Sequence, residues 1–223
     1  MLPIDIVYHS YCVNDFASVL MKKIKKFRVS GLMDAAENIY ISTSKAQDRH
    51  MEFFEDLKSL SSKIKINHLE HTPIGNECDT FNWMRENFEE FEDRAIFYSH
   101  SKGVSYADPY VRGRIENWVR YLDLYNIYNW QKHIRSLDTY DTSGCFMIQD
   151  PPHYSGNFWW TKTSHLKKLP LLDKSNTPYL NRGEFWLCSA PGTKMYNLPG
   201  CVEVNFYQND FINIHDFPSQ DWF

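Results

Sequence analysis

The chain has 223 residues, of which 43% are apolar and 16% aromatic, and its 24 basic and 28 acidic side chains leave a net charge of −4. This composition excludes a disordered or fibrous protein and argues against nucleic acid as a partner, because phosphate binding requires clustered Lys and Arg. No apolar run approaches the roughly 18 residues that cross a bilayer, and the N-terminus lacks a signal-peptide pattern, so we expect a cytoplasmic protein without a transmembrane segment.

The first hundred residues alternate predicted strands and helices. Buried-strand patterns occupy 4–8, 38–43, 64–69 and 95–99, and helical spacing of apolar residues occupies 16–27, 53–60 and 81–91. Such alternation predicts βαβ units, an α/β fold with a mostly parallel sheet, and ligand binding beyond the carboxyl ends of the strands.

After residue 108, the sequence pattern predicts a different arrangement of elements. Asp108 and Pro109 begin a predicted long helix, 109–137, and strands are predicted over 144–149 and 155–160, before a short helix. We therefore expect a mixed rather than purely parallel C-terminal half, without internal repeats or a linker.

The fourth predicted strand runs into His100-Ser101-Lys102-Gly103. Lys102 suits the neutralisation of a diphosphate, and Gly103 allows close backbone approach. The alternative interpretation is a solvated lysine in a turn beside a hydrogen-bonded histidine.

A second candidate segment contains Gly156, Asn157, Trp159 and Trp160. Aromatic faces stack on sugars while an amide supplies directional hydrogen bonds, so we predict that Gly156, Asn157 and one tryptophan line a sugar or acceptor site. The alternative is a core strand, and one tryptophan is expected in the core because adjacent strand residues face opposite ways.

These segments carry a family resemblance. Over about residues 75–186, the chain resembles small GT-A-type glycosyltransferases, and in particular the rhamnan synthesis protein F family. The resemblance lies in four features in the same order: IFYSHSKGVS, a long aromatic helix, HYSGNFWWTKTSHLKKLP and NRGEFW. The resemblance implies a nucleotide-sugar donor, a glycan or glycolipid acceptor and a role in polysaccharide biosynthesis. We expect one domain over 1–223, and the resemblance implies a donor half (1–140) and an acceptor half (141–223).

The resemblance assigns Asp79 to the donor site by its match to the family's N-x-G-R-D stretch, with a helix N-cap as the alternative. Many GT-A enzymes hold a divalent metal, Mn or Mg, with Asp-x-Asp after the fourth strand. That triplet is absent here and His100-Ser101-Lys102 takes its place. We interpret Lys102 as the cation at this place and keep His100 as a possible metal ligand, which leaves metal dependence open.

Glu184 resembles the acidic residue of the W-G-x-E-D stretch in inverting galactosyltransferases. An inverting transfer requires a carboxylate to take the acceptor proton, so Glu184 is the candidate base. Arg182 is assigned to the sugar or acceptor side, with donor phosphate as another possible contact. The alternative is an ion pair between Glu184 and Arg182 on a loop.

Two alternatives accompany the glycosyltransferase hypothesis. A noncatalytic module that binds glycans or nucleotide sugars is possible because a fold does not guarantee chemistry. A pyrophosphorylase-type nucleotidyltransferase is disfavoured because no glycine-rich basic loop follows the first strand. The basic face from Lys22 to Arg28 is interpreted as a solvated helix surface, with a dock for anionic lipid or a lipid-linked acceptor, and hence peripheral membrane contact, as its alternative.

Overall fold

The computed structural model describes residues 2–68, 77–88, 92–173 and 179–201. The strands are β1 Ile4–Tyr11, β2 Ala36–Ser44, β3 Ile64–His68, β4 Ala95–His100, β5 Thr142–Gly144, β6 Met147–Gln149, β7 Pro152–Tyr154, β8 Trp159–Lys162 and β9 Met195–Asn197. The helices are α1 Phe16–Val29, α2 Leu32–Ala35, α3 Met51–Ser59, α4 Cys78–Asn87, α5 Pro109–Asn126, α6 Trp130–Ser136, α7 Thr163–Leu166 and α8 Tyr179–Trp186. Within these ranges, no helix has the length and apolar character needed to span a membrane.

Seven of these strands form one sheet in the order β3-β2-β1-β4-β8-β5-β9. The strands β1, β2, β3 and β4 pair in parallel, whereas β8 runs antiparallel to both of its neighbours, β4 and β5. The remaining two strands, β6 and β7, form a separate antiparallel pair. The predicted fold class, a mostly parallel α/β sheet flanked by helices with a mixed C-terminal half, is confirmed.

The sheet buries apolar side chains on both faces. On one face, Phe27 of α1 packs edge-on against Phe97, whose ring stacks on Trp160 at 5.0 Å. On the other face, Phe81 of α4 packs near Trp159. Adjacent residues of a strand point to opposite faces, which is how β8 supplies a tryptophan to each core layer.

The prediction of one long helix over 109–137 is wrong at its centre. The segment forms two helices, α5 and α6, and α5 ends at Asn126. The Asn126 amide donates to the carbonyl of Leu122, and the Asn129 amide donates to that of Leu124. Asparagine side chains that bond nearby carbonyls compete with the helical pattern, which explains the break.

The predicted strand 155–160 begins later than expected. Gly156 and Asn157 have φ angles of +89° and +57°, so they form a turn and β8 starts at Trp159. Because β8 is antiparallel and Trp159 pairs with Tyr98 near the end of β4, this turn lies at the carboxyl edge of the parallel strands.

The predicted strand 144–149 is divided between β5 and β6. Phe146, between them, has a φ of +54°, a left-handed conformation that an extended strand does not contain. The chain therefore leaves the main sheet after Gly144.

Candidate functional site

Several chemically reactive side chains meet at the carboxyl edge of the sheet. His9 and His100 lie on the adjacent strands β1 and β4 and share one register position. Glu77 precedes α4, and Glu184 of α8 lies beside the turn that contains Gly156. Ligands of open α/β sheets bind outside this edge, so these residues define the candidate site.

Glu77 is an anchored carboxylate within the site. The Tyr98 hydroxyl donates a hydrogen bond of 2.9 Å to Glu77 Oε2, and His100 Nδ1 lies 3.1 Å from the same oxygen. Burial alone would raise the pKa of Glu77, but the charge and hydrogen bond of His100 and the hydrogen bond from Tyr98 outweigh burial and lower the pKa to about 2. Glu77 is therefore ionised at neutral pH.

Lys102 is a largely enclosed lysine within electrostatic reach of two carboxylates. Its Nζ lies 4.0 Å from the centre of the Trp118 ring. Burial lowers the pKa of Lys102, while the negative charges of Glu77 and Glu184 oppose that change. The structure thus brings two predicted site residues, Lys102 and Glu184, within electrostatic reach of each other.

Gly103 is required by packing as well as by backbone conformation. Its φ is +83°, and a Cβ atom at this position would lie 2.5 Å from Cγ2 of Ile115 in α5. The loop after β4 therefore passes directly beneath α5. The predicted approach of Gly103 to a phosphate stays a prediction.

Glu184 is half-buried and contacts the turn before β8. The Gly156 N–H donates a long hydrogen bond of 3.4 Å to Glu184 Oε1. A Cβ atom on Gly156 would lie 2.8 Å from Leu122 of α5, so this position also requires glycine. The side chain of Arg182, which was predicted to lie nearby, falls outside the described residues.

Asn157 has one satisfied and one open polar group. Its Oδ1 accepts a 2.8 Å hydrogen bond from Trp159 Nε1. The residue is 3% exposed, and its Nδ2 has no hydrogen-bond partner within the described parts of the chain. Buried amide donors are normally paired, so this one is suited to a ligand.

The two tryptophans lie in the core. Trp159 and Trp160 are 1% and 0% exposed. Trp159 stacks on Tyr98 at 4.8 Å, and Trp160 stacks on Phe97. Neither indole offers an open face for a sugar, so the core interpretation fits both residues rather than one.

Asp79 lies in the first turn of α4 and is 4% exposed. The N-cap is Glu77, so the alternative interpretation of Asp79 as the cap is wrong. The charge of Asp79 acts on His9, whose Nδ1 lies 2.8 Å from the Thr80 hydroxyl. His9 and Glu77 were not predicted from the sequence, although His9 directly follows the first predicted strand, 4–8.

Two buried histidines are held neutral. Burial lowers the pKa of His9 and that of His133 from 6.5 to about 4. His133 bonds the Ser143 hydroxyl at 2.7 Å and the Tyr125 carbonyl at 2.9 Å. The unfolded chain therefore binds a proton at each histidine more readily than the folded chain does. The stability that each neutral histidine contributes is fully present above pH 6.5 and is lost as the pH falls towards 4.

We predict that His133→Gln flattens the pH dependence of stability. Between pH 6 and pH 4.5, the wild-type free energy of unfolding should fall about 1.4 kcal/mol per pH unit more steeply than that of the variant. The measurement is urea unfolding at several pH values. Equal slopes for the two proteins would show that His133 is not held neutral.

Comparison with known proteins identifies the fold. No family model matches the chain, and no curated protein matches it. Among solved structures, the mannosyltransferase PcManGT from Pyrobaculum calidifontis, in complex with GDP-Man and Mn²⁺, matches 90% of this chain and 55% of its own at 8% identity and a TM-score of 0.52. The chain has a GT-A-like fold. It spans about half the length of that mannosyltransferase.

Another solved structure to which the chain is similar is 4-diphosphocytidyl-2C-methyl-D-erythritolsynthase from Anaerococcus prevotii. It matches 91% of this chain and 90% of its own at 8% identity, with a TM-score of 0.42.

The described residues of this GT-A-like fold do not form a metal site. No three His, Cys, Asp or Glu side chains among them are arranged to hold an ion. At the end of β4, His100 faces the Glu77 carboxylate, and the next charged side chain is the cation of Lys102. This donor set does not fit a divalent metal, so we assign no step to one.

Proposed function

We propose that this chain is a glycosyltransferase that moves a sugar from a nucleoside diphosphate sugar to a hydroxyl of a glycan acceptor. The observation that carries the proposal is the place of Lys102 just after β4, within electrostatic reach of both Glu77 and Glu184. A diphosphate requires a cation, and a transfer to a hydroxyl requires a proton acceptor. The GT-A-like fold supports this assignment.

In this proposal, Lys102 contacts the donor diphosphate. The charges of Glu77 and Glu184 oppose the lowering of its pKa by burial, and its Nζ lies 4.0 Å from the centre of the Trp118 ring. Glu77, fixed by Tyr98, in turn orients His100. Gly103 and Asp79 complete the donor side.

Glu184 acts as the general base of an inverting transfer. The acceptor oxygen attacks the anomeric carbon as its proton passes to the Glu184 carboxylate. The bond from that carbon to the donor phosphate breaks, and its electron pair leaves with the nucleoside diphosphate. Lys102 offsets the charge that develops on this leaving group. The contact from the Gly156 N–H supports the orientation of Glu184.

The acceptor half of the proposal comprises residues 141–223, and the donor half comprises 1–140. The open amide donor of Asn157, together with Gly156 and Arg182, is assigned to the sugar or acceptor. We also propose a cytoplasmic location and, from the sequence resemblance to the rhamnan synthesis protein F family, a role in polysaccharide biosynthesis.

The proposal is tested by screening nucleotide sugars for stabilisation of the protein, with and without Mn²⁺. A ligand that binds only the folded chain raises its melting temperature by mass action, by about 2.7 kcal/mol of stability at a hundred times its Kd. We expect one class of nucleoside diphosphate sugar to raise the melting temperature. No stabilisation by any donor in either condition would contradict the proposal.

Lys102→Met should weaken donor binding by roughly tenfold to a hundredfold, the equivalent of one charge-assisted hydrogen bond. Methionine keeps an unbranched apolar stem over Trp118 while removing the charge. Calorimetric titration of the donor measures the effect. The matched control is Lys132→Met, at an exposed position of α6. Equal donor affinity in both folded variants would remove Lys102 from the donor site.

A further inference from the structure

A groove of about 420 Å³ lies between α1 and α5. We call it the α1–α5 groove; its walls are Val19 and Val29 of α1 and Ile115, Val119 and Leu124 of α5. Its volume falls within the range of small-molecule sites, roughly 300–1,000 Å³. The groove therefore offers an apolar channel of a size that suits one hydrocarbon chain.

Cations surround this apolar channel. Four of them come from α1, namely Lys22, Lys23, Lys25 and Lys26. Two more, Arg112 and Arg120, come from α5, where the carboxylates that line the groove are Glu116 and Asp123. Even after these carboxylates are paired, the lining carries an excess of positive charge, which is complementary to an anionic group.

The deepest charges of the groove form a buried cluster. Lys23 and Lys26 both donate to the carboxylate of Asp123, and Lys26 Nζ lies 2.7 Å from Asp123 Oδ2. The Lys23 ammonium also lies 4.4 Å from the centre of the Phe158 ring. Burial lowers the pKa of Lys23 to about 8 although Asp123 opposes this change. Two cations thus share one anion, and a further anion nearby would stabilise both.

The inner end of the groove reaches the candidate site. His100, Lys102 and Gly103 line it together with Val104. The groove and the candidate site therefore share these residues, so a molecule that fills the groove contacts part of the candidate site.

We propose that the α1–α5 groove binds the lipid end of the acceptor, a single hydrocarbon chain that carries a phosphate. The apolar walls take the chain, and the lysines and arginines along them take the phosphate. Binding itself does not depend on the proposed function, whereas the role as acceptor rests on it. The basic face of α1, interpreted from the sequence as a solvated surface, becomes one wall of this site.

The probe is dodecyl phosphate below its critical micelle concentration, titrated without any nucleotide sugar. We expect saturable binding of one molecule per chain, followed by calorimetry and by the melting temperature. Inorganic phosphate and the neutral amphiphile dodecyl maltoside each lack half of the recognised chemistry, so both should bind at least roughly tenfold more weakly. Equal binding of either compound would overturn the proposal.

The variant Lys22→Gln/Arg120→Gln removes two exposed cations of the groove, one from each helix. We expect its affinity for dodecyl phosphate to fall at least roughly tenfold. The control Lys132→Gln/Arg135→Gln removes the same charge from exposed positions of α6 and should keep wild-type affinity. An equal loss of affinity in both variants would indicate a general effect of charge and would contradict binding of the phosphate in the groove.

Val119→Asp tests the apolar wall, because it places a carboxylate in the path of the chain. Circular dichroism and the melting temperature establish that this variant is folded. Unchanged binding of dodecyl phosphate by the folded variant would contradict the proposal. Binding to anionic phospholipid vesicles without saturable binding of dodecyl phosphate would replace the groove with a membrane-facing surface and likewise overturn it.

Nucleoside diphosphate release separates this proposal from the proposed function. If the chain turns over the donor but does not bind dodecyl phosphate, only the proposal for the groove is wrong. If the chain binds dodecyl phosphate but turns over no donor, the groove still binds a lipid phosphate and the proposed transferase function is wrong.

Discussion

Glu184→Gln should lower the rate of sugar transfer by roughly 10²–10⁴-fold while donor affinity stays nearly constant. Glutamine keeps the size of the side chain and an oxygen that accepts from the Gly156 N–H, but it cannot take the acceptor proton. The effect should therefore appear in kcat and not in the donor Kd. Both are measured with the melting temperature of the same preparation.

The control for this prediction is Glu52→Gln, which makes the same change at an exposed position of α3. It should retain wild-type kcat. If Glu184→Gln also retains it, or if NMR of the product shows retention at the anomeric carbon, Glu184 is not the base. A fall in melting temperature with normal turnover per folded molecule would assign Glu184 a structural contact instead.

Asp123→Asn should destabilise the fold by about 3–5 kcal/mol at pH 7, the range expected when one partner of a buried ion pair is removed. Asp123 is 1% exposed and Lys23 is 3% exposed, so water cannot compensate for the lost charge. Lys26, at 29% exposure, loses the same partner. Chemical unfolding of the variant and of the wild type measures the difference.

A second substitution distinguishes lost charge balance from lost packing. Lys23→Met in the Asp123→Asn background removes the buried lysine that has lost its partner, so it should recover part of the lost stability. Asp138→Asn, at an exposed position, serves as the control and should change stability by less than about 0.5 kcal/mol. An Asp123→Asn variant as stable as this control would show that the buried cluster does not hold α1 to α5.

The alternation of strands and helices was predictable from the sequence because β1 and β4 are buried nearly throughout and α1 has a clear apolar stripe. The later elements were not. The break between α5 and α6 depends on asparagine side chains that find carbonyl partners only in the folded chain. The helix α8 and the strand β9 were missed because their apolar residues lack a clear period.

The candidate site was partly predictable. Lys102 was found from its place after a buried strand, and Glu184 from a family-like motif; the structure brings both close together. Glu77 was not predicted, because nothing in the sequence indicates that Tyr98 and His100 meet it. One of Trp159 and Trp160 was expected to line the sugar or acceptor site, but β8 lies between β4 and β5 in the sheet and both tryptophans are buried.

The most direct test of the account is the release of nucleoside diphosphate from the nucleotide sugar that stabilises the purified chain most. We predict release by the wild type, slow with water alone and faster with a glycan acceptor, and loss of this release in Glu184→Gln. Saturable binding of the nucleotide sugar without any release, under all acceptor and metal conditions, would contradict the account and indicate a noncatalytic binding module.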